Sequence, residues 1–270
     1  MKVATAQQDE MVDAVVELTV ADATIRARLT VPAGPTLTSE LLPACRELSG
    51  ALVAIAADQV RERGETVSCR AGCAACCRHV VPLSEPEARA LVALVERMDE
   101  PRRTEVMSRF EAGRKRLEES CLPVKLDEVC DSMDDVQRYA VEYLRLGIPC
   151  PFLENENCSI YPDRPLICRE YLVTSPAANC ARPSADTIRM VPMPARISAA
   201  LIRVGLAPEE KRTRWVPLLF APEWVAGHPV EQCELTGPEL LEQLFANLGE
   251  RRRSDSASAS ESGRGAADPS

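Results

Sequence analysis

The chain has 270 residues, 46% of them apolar and only 4% aromatic, so it can bury an aliphatic core in one good-sized domain or two small ones. Its formal charge of −9 argues against nucleic-acid binding and against docking on an acidic membrane surface. No run of about twenty apolar residues spans a membrane, and Asp9, Glu10, Asp13 and Glu17 interrupt the stretch where a signal peptide needs an apolar segment.

Val15 to Val31 predicts a β-hairpin. Val16, Leu18 and Val20 alternate with polar residues, as do Ile25, Ala27, Leu29 and Val31, with Ala21-Asp22 as the turn. Pro32, Gly34 and Pro35 end it. Thr38 to Arg63 predicts a long helix with Leu41, Cys45, Leu48, Leu52 and Ile55 on its apolar stripe and Gly64 as its stop. Cys45 on that stripe reads as a small core residue.

A second helix opens at Ser84-Glu85-Pro86-Glu87, a capping box with proline in the first turn. Leu91, Val92, Val95 and Met98 form its buried face. A charged helix follows over residues 102–119, packing through Val106, Phe110 and Leu117, with Arg114-Lys115-Arg116 on a solvated face. Residues 131–146 predict another helix, with Val136, Ala140, Tyr143 and Leu144 inward and Gly147 as its stop. Residues 148–180 are rich in Pro, Asn and Asp and predict irregular chain with a short hairpin turning near Glu154-Asn155-Glu156-Asn157. Further helices are expected at 194–204, 218–226 and 238–248, the last behind a Thr236-Gly237-Pro238-Glu239 capping box.

The expected fold is α+β and mainly helical. Residues 1–35 make an N-terminal β-hairpin segment. Residues 36–249 make a helical domain around an irregular cysteine-rich hub at 69–180. Residues 250–270 are too poor in apolar residues to order themselves and read as a disordered tail.

The hub carries the chemistry. Cys69, Cys73, Cys76 and Cys77 fall within nine residues, and Cys150, Cys158, Cys168 and Cys180 follow. Thiolates at such spacing repel one another unless a cation sits among them, so the pattern points to a metal ion or an iron–sulfur cluster. With no apolar signal segment in Met1 to Leu18, the chain is expected in the reducing cytoplasm, where such cysteines remain thiols and disulfides are rare. If Cys69–Cys77 were helical, at about 100° per residue the four sulfurs would share one face; a loop turning at Gly72 presents the same ligands. Eight thiols suit two four-cysteine sites, or one cluster plus one zinc, or one site with spare thiols. Adjacent Cys76 and Cys77 seldom both reach one ion, so one of them serves a second site or stands aside. Zinc and iron use the same donors here, so the metal is left open.

Two separated motifs resemble the YkgJ-type cysteine-cluster family, the CxxCxxCC group described as a candidate zinc- or iron-chelating domain. The first is Cys69-x3-Cys73-x2-Cys76-Cys77 with Val80-Val81-Pro82-Leu83-Ser84-Glu85. The second is Cys150-Pro151-Phe152-Leu153, then Cys158-Ser159-Ile160-Tyr161-Pro162-Asp163-Arg164-Pro165-Leu166-Ile167-Cys168-Arg169. The resemblance covers less than half of the chain. It implies zinc or iron held by Cys69, Cys73, Cys76, Cys77, Cys150, Cys158 and Cys168; the thiol pattern itself also admits a [4Fe-4S] cluster. Cys180 is added with a spacing outside the tightest motif.

Arg164 and Arg169 are expected to offset the thiolate charge, or else to serve as plain surface or capping arginines. Tyr161 and Tyr171 should pack beside the site. His79 is a possible substitute ligand, and His228 should be exposed. Cys121, Cys130 and Cys233 read as free thiols.

Three functions compete. The first is a metal-binding protein with a structural, storage or transfer role. The second is an iron–sulfur enzyme, because one branch of the family is similar to protein lysine N-methylases and Cys69-x3-Cys73-x2-Cys76 has radical-SAM spacing. The chain lacks barrel-like strand–helix alternation and any glycine-rich nucleotide motif. The third is a zinc-stapled protein-interaction module, its protein partner unspecified.

Overall fold

Strands β1 (Met11–Val20) and β2 (Ala23–Pro32) pair antiparallel, Met11 opposite Pro32 and Val20 opposite Ala23. The alternation sorts the ribbon into two faces: Leu29 and Val31 are buried, Val12, Ala14, Val16 and Ala27 pack partly behind them, and Met11 and Val15 face water. The computed structural model describes residues 10–20, 23–120, 122, 133–184, 186–205, 215–229 and 235–248. The expected Ala21-Asp22 turn, Cys121, Cys130, Cys233 and the tail at 250–270 lie outside these residues.

A 3-10 turn (Thr38–Leu41) leads into α1 (Leu42–Glu62), with proline in its first turn. Cys45, Leu48, Ser49, Leu52, Ala56 and Val60 form its buried stripe, so the stripe passes through Ala56 where Ile55 was expected. Gly64, at φ +74°, turns the chain away. Helix α2 (Glu85–Glu96) starts at the predicted box: the Ser84 amide and hydroxyl donate to Glu87 at 3.1 and 2.7 Å. Helix α3 (Glu100–Glu118) buries Val106, Phe110 and Leu117 as predicted. Its Arg114 departs from the expected solvated face, because Nε pairs with Glu223 at 2.6 Å. Helix α4 (Met133–Leu146) buries Tyr139 as well as Tyr143.

The second cysteine region is largely irregular. Strands β3 (Pro82–Leu83), β4 (Leu153–Glu154) and β5 (Asn157–Cys158) are two residues each. A 3-10 turn (Tyr161–Asp163) precedes the short helix α5 (Leu166–Glu170), and another (Ala177–Ala181) follows it. Helix α6 (Ile197–Leu201) is shorter than the predicted 194–204. Strand β6 (Val216–Pro217) pairs antiparallel with β3, a link between distant segments that no local pattern announces. Its continuation begins as a 3-10 turn (Leu218–Phe220) before α7 (Ala221–Gly227). Arg89 ties α2 to α7, donating to the His228 carbonyl at 2.8 Å with its guanidinium 5.2 Å over the Trp224 ring. Residues 237–248 form helix α8 behind the predicted box, with Thr236 donating to Glu239 at 2.7 Å from the amide and 2.8 Å from the hydroxyl.

Three apolar clusters hold these elements. The first joins β2, α1, α5, α6 and α8 through Leu29, Leu48, Leu166, Leu201 and Leu244. Helix α8 meets the hairpin so closely that a Cβ on Gly237 would stand 2.3 Å from the Pro32 carbonyl. The second joins α2, α3, α4 and the Ile148–Ile160 segment, where Phe110 meets Phe152 edge-on at 5.7 Å. The third packs Ala56 and Val60 on Leu172 and Val191. The second cysteine region contributes Leu166 to the first cluster, Phe152 to the second and Leu172 to the third, which fixes its backbone although little of it is regular structure.

Candidate metal centre

The first cysteine run is a chain of turns and not a helix. Gly72, at φ +84°, bends it, and the Cys73 amide closes on the Arg70 carbonyl at 3.1 Å. Two further turns follow, Cys77 to Ala74 at 2.9 Å and His79 to Cys76 at 3.0 Å. A Cβ on Gly72 would stand 3.2 Å from Asn157 Oδ1, so glycine here lets the β4–β5 hairpin lie against the first run.

Backbone bonds stitch the two regions together. The Cys150 amide donates to the Cys77 carbonyl at 2.8 Å, and the Ser68 amide donates to the Val173 carbonyl at 2.8 Å. The Cys69 sulfur lies 3.8 Å from the Tyr171 carbonyl. Between these ties, the predicted hairpin turns through Asn155 and Glu156, both in the left-handed region. Arg78 holds Glu156 at 2.8 Å. On the other side Arg102, at 2.5 Å, and Arg109 hold Glu154, and these hydrogen bonds keep its carboxyl below the usual carboxylate range. The hairpin is clamped from both flanks.

The thiols sense one another in two groups. Cys69 and Cys180 are raised first by burial and then by their neighbours: Cys76 and Cys73 act on both, and Cys69 acts on Cys180. In the other group Cys150, pushed up to about 12 by burial, also feels Cys158. Cys168, raised by burial, feels Cys150 and Cys158. Cys77 feels the same two. Cys76 stands between the groups and acts on Cys77, Cys150, Cys158, Cys168, Cys69 and Cys180. Within the adjacent pair, the hydrogen bond from Cys77 lowers Cys76 and raises Cys77.

Of the two expected counter-charges, only Arg164 faces sulfur: its guanidinium lowers Cys69, Cys76 and Cys158. It also lies 4.0 Å over the Tyr161 ring. Arg169 turns away and donates to the Pro162 and Arg164 carbonyls, so its task is to hold the loop. Tyr171 does more than pack, because its hydroxyl is hydrogen-bonded to the Cys180 sulfur. His79 Nε2 is committed to the Cys180 carbonyl at 2.7 Å, which counts against it as a substitute ligand through that nitrogen. His228 is exposed as expected and stacks on Trp224 at 4.4 Å. Cys45 is fully buried in the first cluster, and its thiol is pushed up to about 12 by that burial.

The two cysteine regions touch through their backbone bonds, but the expected metal-binding hub is not confirmed. Among the described residues, no three Cys, His, Asp or Glu side chains stand in an arrangement that could hold a metal ion as they are. The nine described cysteines are all free thiols. Sequence reasoning missed Glu154 with Arg102 and Arg109, because salt links across 45 residues or more leave no periodic trace.

Residues 68–186 match the CxxCxxCC family model, described as a "putative zinc- or iron-chelating domain". The matched segment is under half of the chain and spans both cysteine motifs. The match contains all eight cysteines of the two regions, Cys180 included, so its looser spacing does not place it outside the family's domain. No curated protein and no solved structure matches the chain. The donor chemistry of the matched segment fits a thiophilic cation: eight sulfurs, unpaired in disulfides, with Cys76 disfavouring ionisation of Cys69, Cys150, Cys168 and Cys180. No described helix is long and apolar enough to cross a membrane.

Proposed function

We propose that the chain binds zinc or iron in two four-thiolate sites that meet at Cys76 and Cys77. One takes Cys69, Cys73, Cys76 and Cys180; the other takes Cys77, Cys150, Cys158 and Cys168. The observation that carries this reading is the 2.8 Å hydrogen bond from the Cys150 amide to the Cys77 carbonyl, which joins the two cysteine regions at the point where the groups divide. The partition of electrostatic neighbours supports it, as does the difficulty of directing two adjacent cysteines at one ion. A cation would relieve the mutual repulsion, and loading closes the sulfurs by side-chain and loop adjustment.

Four thiolates leave no open coordination position, which favours a structural, storage or transfer role. Lysine N-methylase-like or radical-SAM-like chemistry would need an open iron. The same sets suit a [4Fe-4S] cluster. A cytoplasmic setting, where thiols stay reduced, belongs to this reading.

The test is metal analysis and an absorption spectrum on protein purified without oxygen. Two equivalents of zinc in a colourless protein, or iron with sulfide and a brown colour, support it. Less than one equivalent of either metal after reconstitution overturns it.

A further inference from the structure

We propose that a cavity beside the thiols, between α2 and the Tyr161–Pro165 turn, binds a small organic carboxylate. The cavity holds about 140 Å³ and carries three guanidinium groups, those of Arg46, Arg97 and Arg164. Its wall is the apolar side of α2 at Ala90, Leu91 and Leu94, closed by Pro165.

The charge balance favours an anion. Asp163 reaches Arg46 only at 3.7 Å, and Arg46 also acts on the Glu87 carboxyl. Glu87 lines the cavity, but its carboxyl already takes the Ser84 amide, the Ser84 hydroxyl and the Leu166 amide. Arg97 has no ion-pair or hydrogen-bond partner for its guanidinium among the described residues. The Arg164 Nε is buried with no acceptor among the described residues. A buried, unmatched guanidinium donor is costly, and a carboxylate is the group that matches its fork. The crowding is felt next door, where burial and then the charges of Arg164 and Arg46 depress the Arg169 guanidinium. Such a cationic patch on a chain of net charge −9 is local and specific.

The apolar wall separates a carboxylate with a short hydrocarbon body from inorganic phosphate. A carboxylate can set its oxygens on the arginines and lay its methylenes along Ala90 and Leu94, whereas phosphate has nothing to bury there. None of its residues is a proposed metal ligand, although Arg164 also faces the thiols, so binding is measured with and without metal.

The experiment is calorimetric titration of the full chain, metal-loaded and metal-free, with glutarate, butyrate, inorganic phosphate and neutral butyramide. Saturable glutarate or butyrate binding, tighter than phosphate and absent for butyramide, is expected. Arg97→Gln should weaken it about tenfold, the loss of one charge-assisted pair. Because Arg97 is exposed and outside the core, this variant folds; Arg46→Gln serves as a second check and should weaken binding similarly. Absence of carboxylate binding, phosphate binding as tight as glutarate, or affinities unchanged in both variants would overturn the proposal. Loss of metal without loss of carboxylate binding would count against the metal sites alone.

Discussion

Ser49 and Glu170, 121 residues apart, are hydrogen-bonded at 3.0 Å in the interior, where α1 crosses α5. The same carboxylate takes the Ile197 amide at 3.0 Å and the Ser198 hydroxyl at 2.6 Å. Glu170 thus pins the helix that carries Cys168 to both α1 and the start of α6. Removing it leaves two hydroxyls and two amides without an acceptor. Glu170→Ala should cost about 3–5 kcal/mol, lowering the melting temperature by roughly 10 °C. Glu170→Gln, which keeps one carbonyl oxygen, should cost less. Thermal melts of the three proteins at equal metal loading check the order.

Burial holds the Glu170 carboxyl above its ordinary value of 4.5, against the hydrogen bonds from Ser198 and Ser49. A carboxyl raised in the folded state contributes its full stability below the unfolded value and loses it as pH rises through the folded value. The stability advantage of wild type over Glu170→Gln should therefore shrink as pH rises above the ordinary carboxyl value of 4.5. Paired urea titrations at each pH read this difference, from which metal effects common to both proteins cancel. An advantage that grows over that range would mean that the hydrogen bonds outweigh desolvation.

Cys73 and Cys45 separate ligand from core. Cys73 lies in the turn after Gly72, among thiols. Cys45 is enclosed by leucines. Cys73→Ser should lose about half of the bound metal, emptying one proposed site, and Cys45→Ser should keep all of it. The second variant should instead lose about 1–3 kcal/mol, because its hydroxyl is buried in an apolar site. Metal analysis together with melting curves distinguishes the two. Equal metal loss in both variants would refute the assignment.

Periodic and capping signals were readable where structure is local. The Ser84 and Thr236 boxes, the α3 stripe and the Asn155-Glu156 turn depend on residues within a few positions of one another, and each appears where the pattern places it. The ligand candidates were readable because thiol crowding is itself a sequence statistic. The pairings were not: β3 with β6, Ser49 with Glu170, and Cys77 with Cys150 join segments whose meeting depends on how whole helices pack. Which of its two expected roles Arg169 takes was unreadable for the same reason, since its direction is set by the Tyr161–Pro165 turn and not by its nearness to Cys168.

The unequal sharing of a proton between Cys76 and Cys77 should appear in thiol chemistry. In metal-free protein the Cys77 hydrogen bond and Arg164 lower Cys76 below the ordinary thiol value of 9.0, while burial pushes Cys150 up to about 12. Brief iodoacetamide treatment at near-neutral pH should label Cys76 first and leave Cys150 and Cys45 unlabelled, because the thiolate is the nucleophile. Arg164→Gln should slow labelling at Cys76. Peptide mass spectrometry reads the sites. Faster labelling of Cys77 than of Cys76 would reverse the assigned direction of the hydrogen bond.

Two glycines test whether hairpin seating and thiol gathering are separable. A methyl on Gly237 meets backbone, the Pro32 carbonyl at 2.3 Å, and also the Val31 Cβ at 2.9 Å, so neither neighbour can swing aside. Gly237→Ala should cost roughly 2–4 kcal/mol by forcing α8 off the hairpin, as overpacking against rigid chain does. A methyl on Gly72 meets only the Asn157 amide oxygen at 3.2 Å, but the φ of +84° is unfavourable to any side chain. Gly72→Ala should cost only about 1–2 kcal/mol. Its distinctive effect is on the metal, because the Arg70–Cys73 turn must re-form for Cys73 to join Cys69. Reduced metal retention against a competing chelator in Gly72→Ala, with retention unchanged in Gly237→Ala despite its larger loss of stability, is the expected pair of results. The reverse pattern would show that the hairpin, not the turn at Gly72, sets the position of the thiols.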